Sequence, residues 1–100
     1  MNPRGYSEII AKQTAAANSG PFIVNENMPV TLVATGLTTG DEVTIEISYD
    51  GILWESSVVD SVADALSEDN NPKTIYGPGM FRAVKAITSG TVGVAKWEKP

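Results

Sequence analysis

The chain contains neither cysteine nor histidine. Without cysteine no disulfide can form, which fits folding in a reducing compartment. Without histidine the chain lacks the commonest general base and the only side chain that titrates unperturbed near neutral pH. The two absences together exclude His/Cys zinc sites and Ser-His or Cys-His nucleophile pairs. Carboxylate chemistry and oxygen-ligated metals stay open. Long apolar runs are also missing: none approaches the ~20 residues that span a bilayer. The opening Met1-Asn2-Pro3-Arg4-Gly5-Tyr6 lacks the apolar core of a signal peptide. The expectation is a soluble protein that is not exported by a cleaved signal and has no membrane partner. Basic residues are few, and the net charge of −5 argues against a nucleic-acid partner, since phosphate binding needs a basic surface to displace counterions.

What is present reads as β structure. Residues 42–54, EVTIEISYDGILW, alternate Val43, Ile45, Ile47 and Tyr49 with Glu42, Thr44, Glu46 and Ser48. Period-two alternation places the apolar set on one face of a strand. Asp50-Gly51 is a tight-turn signal, and an apolar segment with Trp54 follows, so a half-buried antiparallel hairpin is expected. Upstream, Phe22-Ile23-Val24 and Val30–Thr35 read as strands rich in β-branched residues. Downstream, Lys73–Tyr76 is followed by the corner Gly77-Pro78-Gly79. Met80–Ile87 then pairs plausibly with Thr91–Trp97 across Thr88-Ser89-Gly90, and Gly93 marks a bulge or a close backbone approach. Residues 57–68 are ambiguous. Val59, Val62, Ala63 and Leu66 share a helical face, but in a chain of hairpins an irregular edge strand fits as well and is slightly preferred. With about seven or eight short strands at roughly 8–12-residue spacing, the fold class is all-β: a small antiparallel β-sandwich or jelly roll.

Residues 1–19 differ in texture and end in Asn18-Ser19-Gly20-Pro21. They are expected to form an extended N-terminal arm preceding a β-sandwich domain at 20–100. The arm is read either as a frayed terminus or as a segment that orders on a neighbouring subunit. On that reading, removing residues 1–18 would leave the body folded. The core is then modest: below about 70–80 residues a core rarely supplies more than about 3–5 kcal/mol, and small modules often gain stability by associating.

Charge is segregated. No lysine or arginine lies between Lys12 and Lys73, and within that interval nine acidic residues run from Asp41 to Asp69. From Lys73 onward the chain carries Lys73, Arg82, Lys85, Lys96 and Lys99 against Glu98 alone. These blocks either pair across neighbouring strands of one sheet or face different partners, including head-to-tail copies in an assembly.

Candidate chemistry is sparse. Ser48-Tyr49-Asp50-Gly51-Ile52-Leu53-Trp54 is close to an Asp-box, but one residue is missing between the aspartate and the glycine, and Leu53 replaces the threonine. A structural turn with an anchoring tryptophan is preferred. Glu68-Asp69-Asn70-Asn71 lacks the ligand spacing of a calcium loop and reads as a solvated turn. Asp50 with Glu55 is a conceivable carboxylate pair for glycoside hydrolysis, yet nothing sets the two across a cleft. Tyr49, Trp54, Tyr76 and Trp97 are either a sugar-stacking platform or, as preferred, core and subunit contacts. Gly77-Pro78-Gly79 is not a phosphate loop. No enzyme activity, metal or cofactor is expected.

Three stretches share a family pattern: Val30–Leu37, Gly40–Val43, and Ile47–Gly51 with Trp54. Together with Ile75–Lys85 and Ser89–Val94, they resemble small β-sandwich structural proteins of tailed bacteriophages. Ile52 stands where many of those proteins have a second glycine. The resemblance implies a virion component, most of all a head decoration or cement protein that binds the capsid surface after synthesis in the host cytoplasm. Its partners would be the major capsid protein or other virion subunits, and it would act as a homo-oligomer or in many copies. The alternative it leaves open is a tail- or fibre-associated binding module, carbohydrate-binding or immunoglobulin-like. Tyr6, Ile9 and Ile10 of the arm, with Arg82 and Lys85, are the expected partner contacts.

Overall fold

A computed structural model describes residues 6–59 and 62–97. Residues 1–5 of the expected arm, and Asp60, Glu98 and Lys99 of the charge blocks, lie outside them. The strands are β1 (Tyr6–Gln13), β2 (Ala17–Asn18), β3 (Phe22–Val24), β4 (Val30–Thr35), β5 (Glu42–Ser48) and β6 (Glu55–Ser56). They continue with β7 (Val58–Val59), β8 (Val62–Ala63), β9 (Ala65–Ser67), β10 (Lys73–Ile75), β11 (Gly79–Lys85) and β12 (Val92–Trp97). No helix occurs among the described residues. Residues 57–68 thus follow the β reading; β7 and β8 form a small hairpin of their own between β6 and β9.

All pairings are antiparallel, in two main sheets. The first runs β1-β12-β4-β10. In the second, β2 and β3 share one flank of β11, β5 lies on the other, and β6 and β9 share the outer flank of β5. Counting β2 with β3 and β6 with β9 as single broken strands, the sheets read 1-8-3-6 and 2-7-4-5. That is the strand order of an eight-stranded jelly roll, which decides between the two all-β architectures expected. Among the described strands, β5 to β6 is the one hairpin within a main sheet; the other links between successive positions cross from one sheet to the other.

The alternation in the sequence sets the inner faces. Val30, Leu32 and Ala34 of β4 are buried while Thr31, Val33 and Thr35 are not. Val43 and Ile45 of β5 meet Phe81 and Ala83 of β11, with Leu66, Ile75, Val92 and Val94 completing one contiguous core. The expected pairing of Met80–Ile87 with Thr91–Trp97 is not formed: β11 joins the second sheet and β12 the first. Alternation tells each strand which of its faces is apolar but not which sheet it enters, and a glycine-bearing corner serves a crossover as well as a hairpin.

The N-terminal segment is part of the body rather than an arm outside it. Tyr6 to Gln13 pair along β12, and Ile10 is only 3% exposed within the core. The strand carries two register shifts, and a Cβ at Gly93 would stand 2.7 Å from Lys12 Cγ. The expected close approach at Gly93 is therefore the site where bulged β1 crosses β12. Lys85 fixes the turn that follows. It is 1% exposed, and its ammonium donates to the Ala15 carbonyl and, at 3.3 Å, to that of Ala86. A charge so deeply buried is tolerated only when hydrogen-bonded.

Two polar clusters pin the loops. The buried Asp41 accepts hydrogen bonds from the amides of Thr38 (3.0 Å), Ser89 (2.9 Å) and Gly90 (3.0 Å), and from the Thr38 hydroxyl (2.8 Å). It thereby ties the β4–β5 crossover to the β11–β12 crossover. These donors, the Ser89 amide foremost, hold its carboxyl well below the usual aspartate range. Asp64, also buried, receives the Ser57 hydroxyl at 3.2 Å on Oδ2, and Lys73 Nζ lies 2.9 Å from Oδ1. That second contact is one of charge rather than a directed hydrogen bond. The charge blocks meet within the second sheet, where Arg82 of β11 faces Glu46 of β5 in register at 2.7 Å. This pair is partly exposed, so it contributes at most about 1 kcal/mol and chiefly fixes register.

Two outcomes are expected. Ile10→Ala should lower stability by about 2–5 kcal/mol in urea denaturation, and removing residues 1–18 should abolish the cooperative transition. Asp41 is favoured as the carboxylate in the folded state, so its contribution is complete above the ordinary aspartate range near pH ~4. It is lost as pH falls through the lowered native value. Asp41→Asn should therefore lower the thermal midpoint at pH 7, and the gap to wild type should close under strong acid.

Candidate interaction surface

The β5–β6 connection is a six-residue loop, 49–54, rather than a two-residue turn. Tyr49, expected on the apolar face of the strand, has left the sheet and is 93% exposed. The local chemistry explains this. The Ser48 hydroxyl accepts the Gly51 amide at 2.9 Å and contacts Asp50 Oδ1 at 3.0 Å. Asp50 Oδ1 in turn accepts the amides of Ile52 (2.8 Å) and Leu53 (3.0 Å). Gly51 sits at φ +77°, a conformation other residues adopt only under strain. With its polar groups satisfied internally, the loop is free to direct Tyr49, Ile52 and Leu53 outward. The Asp50 carboxyl is held below its usual range, first by the Ile52 amide and then by that of Leu53.

This loop walls a groove of roughly 710 Å³ at one end of the sandwich. Its other walls come from the end of β3 and the start of β11, where Met80 pairs with both Ile23 and Ser48. Ile23, Ile47, Tyr49, Leu53, Pro78 and Met80 make it mainly apolar, and Glu55 is the one charged residue among those lining it. Ile52, Tyr49 and Leu53 are among the most exposed large apolar residues described. Asp50 and Glu26, both exposed, stand in the two loops beside it. Trp54 turns the other way and packs under Arg82, whose guanidinium carbon lies 4.5 Å from the ring centre.

The five expected contact residues do not form one surface. Ile10 and Lys85 are inside the sandwich, because both point from their strands toward the facing sheet. Ile9 packs against the core, Tyr6 stacks on Trp97 with ring centres 5.9 Å apart, and Arg82 is held by Glu46 and Trp54 on the second sheet. The four aromatics do not form one platform: Tyr49 lines the end groove, Trp54 lies under Arg82, Trp97 belongs to the first sheet, and Tyr76 is exposed just after β10. Asn70 and Asn71 direct their side chains to the Ala65 and Ala34 backbone instead of outward toward an ion. Among the described residues no three acidic side chains gather as metal ligands.

Sequence reading missed the groove because it joins three separated segments. The available signal was local: two large apolar residues, Ile52 and Leu53, directly after an Asx-type turn, where polar residues are usual.

Asp50→Ala should accelerate hydrogen exchange of the Ile52 and Leu53 amides by about tenfold or more while core amides such as Ile45 and Ala83 keep their protection. In the wild type the same loosening should appear only as pH falls below the ordinary aspartate range. No protein-family model, curated protein or solved structure matches this chain, so the chemistry of its surface carries the functional argument.

Proposed function

We propose that this protein is a non-enzymatic structural component of a tailed-phage virion, a decoration protein that docks on the head shell and stabilises it. The observation that carries the docking reading is the apolar groove at the sandwich end, framed by Tyr49, Leu53 and Ile23. Exposed apolar residues clustered around a groove mark interaction sites in soluble proteins. The loop that presents them is held rigid by Ser48 and Asp50, so little conformational entropy is lost on docking. A shell filled with packed genome gains from stiff clamps between subunits, and a clamp needs surfaces rather than a reactive centre. The acidic balance of the chain supports the same reading, since it disfavours adhesion to the packaged polyanion. The virion assignment itself rests on the family pattern in the sequence.

A second reading, a tail- or fibre-associated carbohydrate-binding module, is favoured by a different surface. Tyr6, Val33 and Ala95 line a shallow groove of roughly 360 Å³ on the outward side of the first sheet, beside the stacked Tyr6–Trp97 pair. Glycan binding lost on Trp97→Ala would select it.

The decoration reading is tested by electron microscopy of undecorated shells incubated with the purified protein. Wild type should add regular density at fixed lattice positions. Leu53→Asp should add at least about tenfold less at equal concentration, as expected for loss of a buried anchor. Its thermal midpoint should match wild type, since Leu53 is 68% exposed.

A further inference from the structure

The groove's charge defines the partner more narrowly than its apolarity does. No lysine or arginine lines it, and Glu55 is the charged residue that does. Asp50 and Glu26 in the adjoining loops are exposed carboxylates, and the Ile52 and Leu53 amides hold the Asp50 carboxyl below its usual range. Arg82 of the second sheet is taken by Glu46 and Trp54, and Lys96 of the first stands 5.4 Å from the ring centre of the core residue Phe22 and does not line the groove.

We propose that the end groove receives a segment of another protein in which one or two large apolar side chains are flanked by lysine or arginine. The inference rests on the reading of this groove as a docking site, but it does not require the partner to be a capsid. A second copy is a poor occupant. Groove-to-groove packing would bring Glu55 and Asp50 of each copy toward their counterparts, where like charges oppose association. A basic-apolar segment fills the same walls with Leu53, Tyr49, Ile23 and Met80 around its apolar side chain. Its cations lie at the rim, partly in water, where they steer approach and orientation.

The test uses the full chain and three short fluorescein-labelled peptides of one design, in which leucine and phenylalanine alternate with lysine, glutamate or serine. Fluorescence anisotropy at low salt should show the lysine peptide binding at least about tenfold tighter than the other two, with the preference shrinking as salt shortens the screening length. Glu55→Lys should remove most of that preference. Leu53→Asp should weaken all binding, and Tyr49→Ser provides an independent variant at the same wall. Equal affinity for the lysine and glutamate peptides would overturn the charge assignment while leaving the docking site intact. Binding that survives both wall substitutions, or no binding by any peptide, would overturn the groove as the site. A dimer seen by sedimentation of the wild type and lost in Leu53→Asp would replace the foreign partner with a second copy.

Discussion

Two apolar sheet faces have to meet, and everything else in this molecule follows from keeping them together. Val24, Leu32, Val43, Ile45, Leu66, Phe81, Ala83, Val92 and Val94 are almost wholly removed from water, and they come from both sheets. No disulfide assists them, and the chain is short. Because nearly every link between main-sheet strands crosses from one sheet to the other, the two layers are tied together repeatedly along the chain. The first strand, expected outside the body, carries the core residue Ile10, and a lysine is buried where β1 turns toward β2 because its ammonium donates to the Ala15 and Ala86 carbonyls.

The crossovers need their own fixing, since an arch between sheets has fewer ladder hydrogen bonds than a hairpin. Asp41 supplies it at one end by gathering amides from two loops far apart in sequence. The one hairpin loop, 49–54, is fixed in the same manner by Ser48 and Asp50. Asp41 and Asp50 are carboxylates stabilised by backbone N–H groups, so both bind fewer protons folded than unfolded and couple the stiffness of the loops to acid. The Arg82–Glu46 pair, in contrast, sits mid-sheet and at the surface, where it selects register more than it adds stability.

The all-β class and most strand positions were legible, because alternation at Val30–Thr35 and Glu42–Ser48 reflects a physical requirement that one face be dry. Gly93 was legible for the same kind of reason: glycine in a strand signals close approach. Connectivity was not legible. Thr88-Ser89-Gly90 has hairpin chemistry but serves an arch, and only the position of Asp41, far upstream, explains which. The segment at Tyr6–Gln13 was misjudged because two bulges break its alternation, so its burial pattern does not follow period two. The groove was invisible for a further reason. A surface assembled from β3, β11 and a loop exists only once the pairings Ile23–Met80 and Met80–Ser48 are known. The sequence did place acidic residues near that loop, and it is their company with Leu53 and Tyr49 that gives the surface its chemistry.

On the proposed reading, a stiff jelly roll engages its partner through the sandwich end formed by β3, the 49–54 loop and the start of β11. Hydrogen exchange read by mass spectrometry, on the protein alone and bound to assembled shells, addresses it most directly. The account requires new protection in peptides covering residues 22–25, 48–55 and 77–81, with the outer face of the first sheet unchanged. Protection confined to Tyr6, Glu8, Val33 and Ala95 would contradict it, as would no change anywhere at saturating shell concentration.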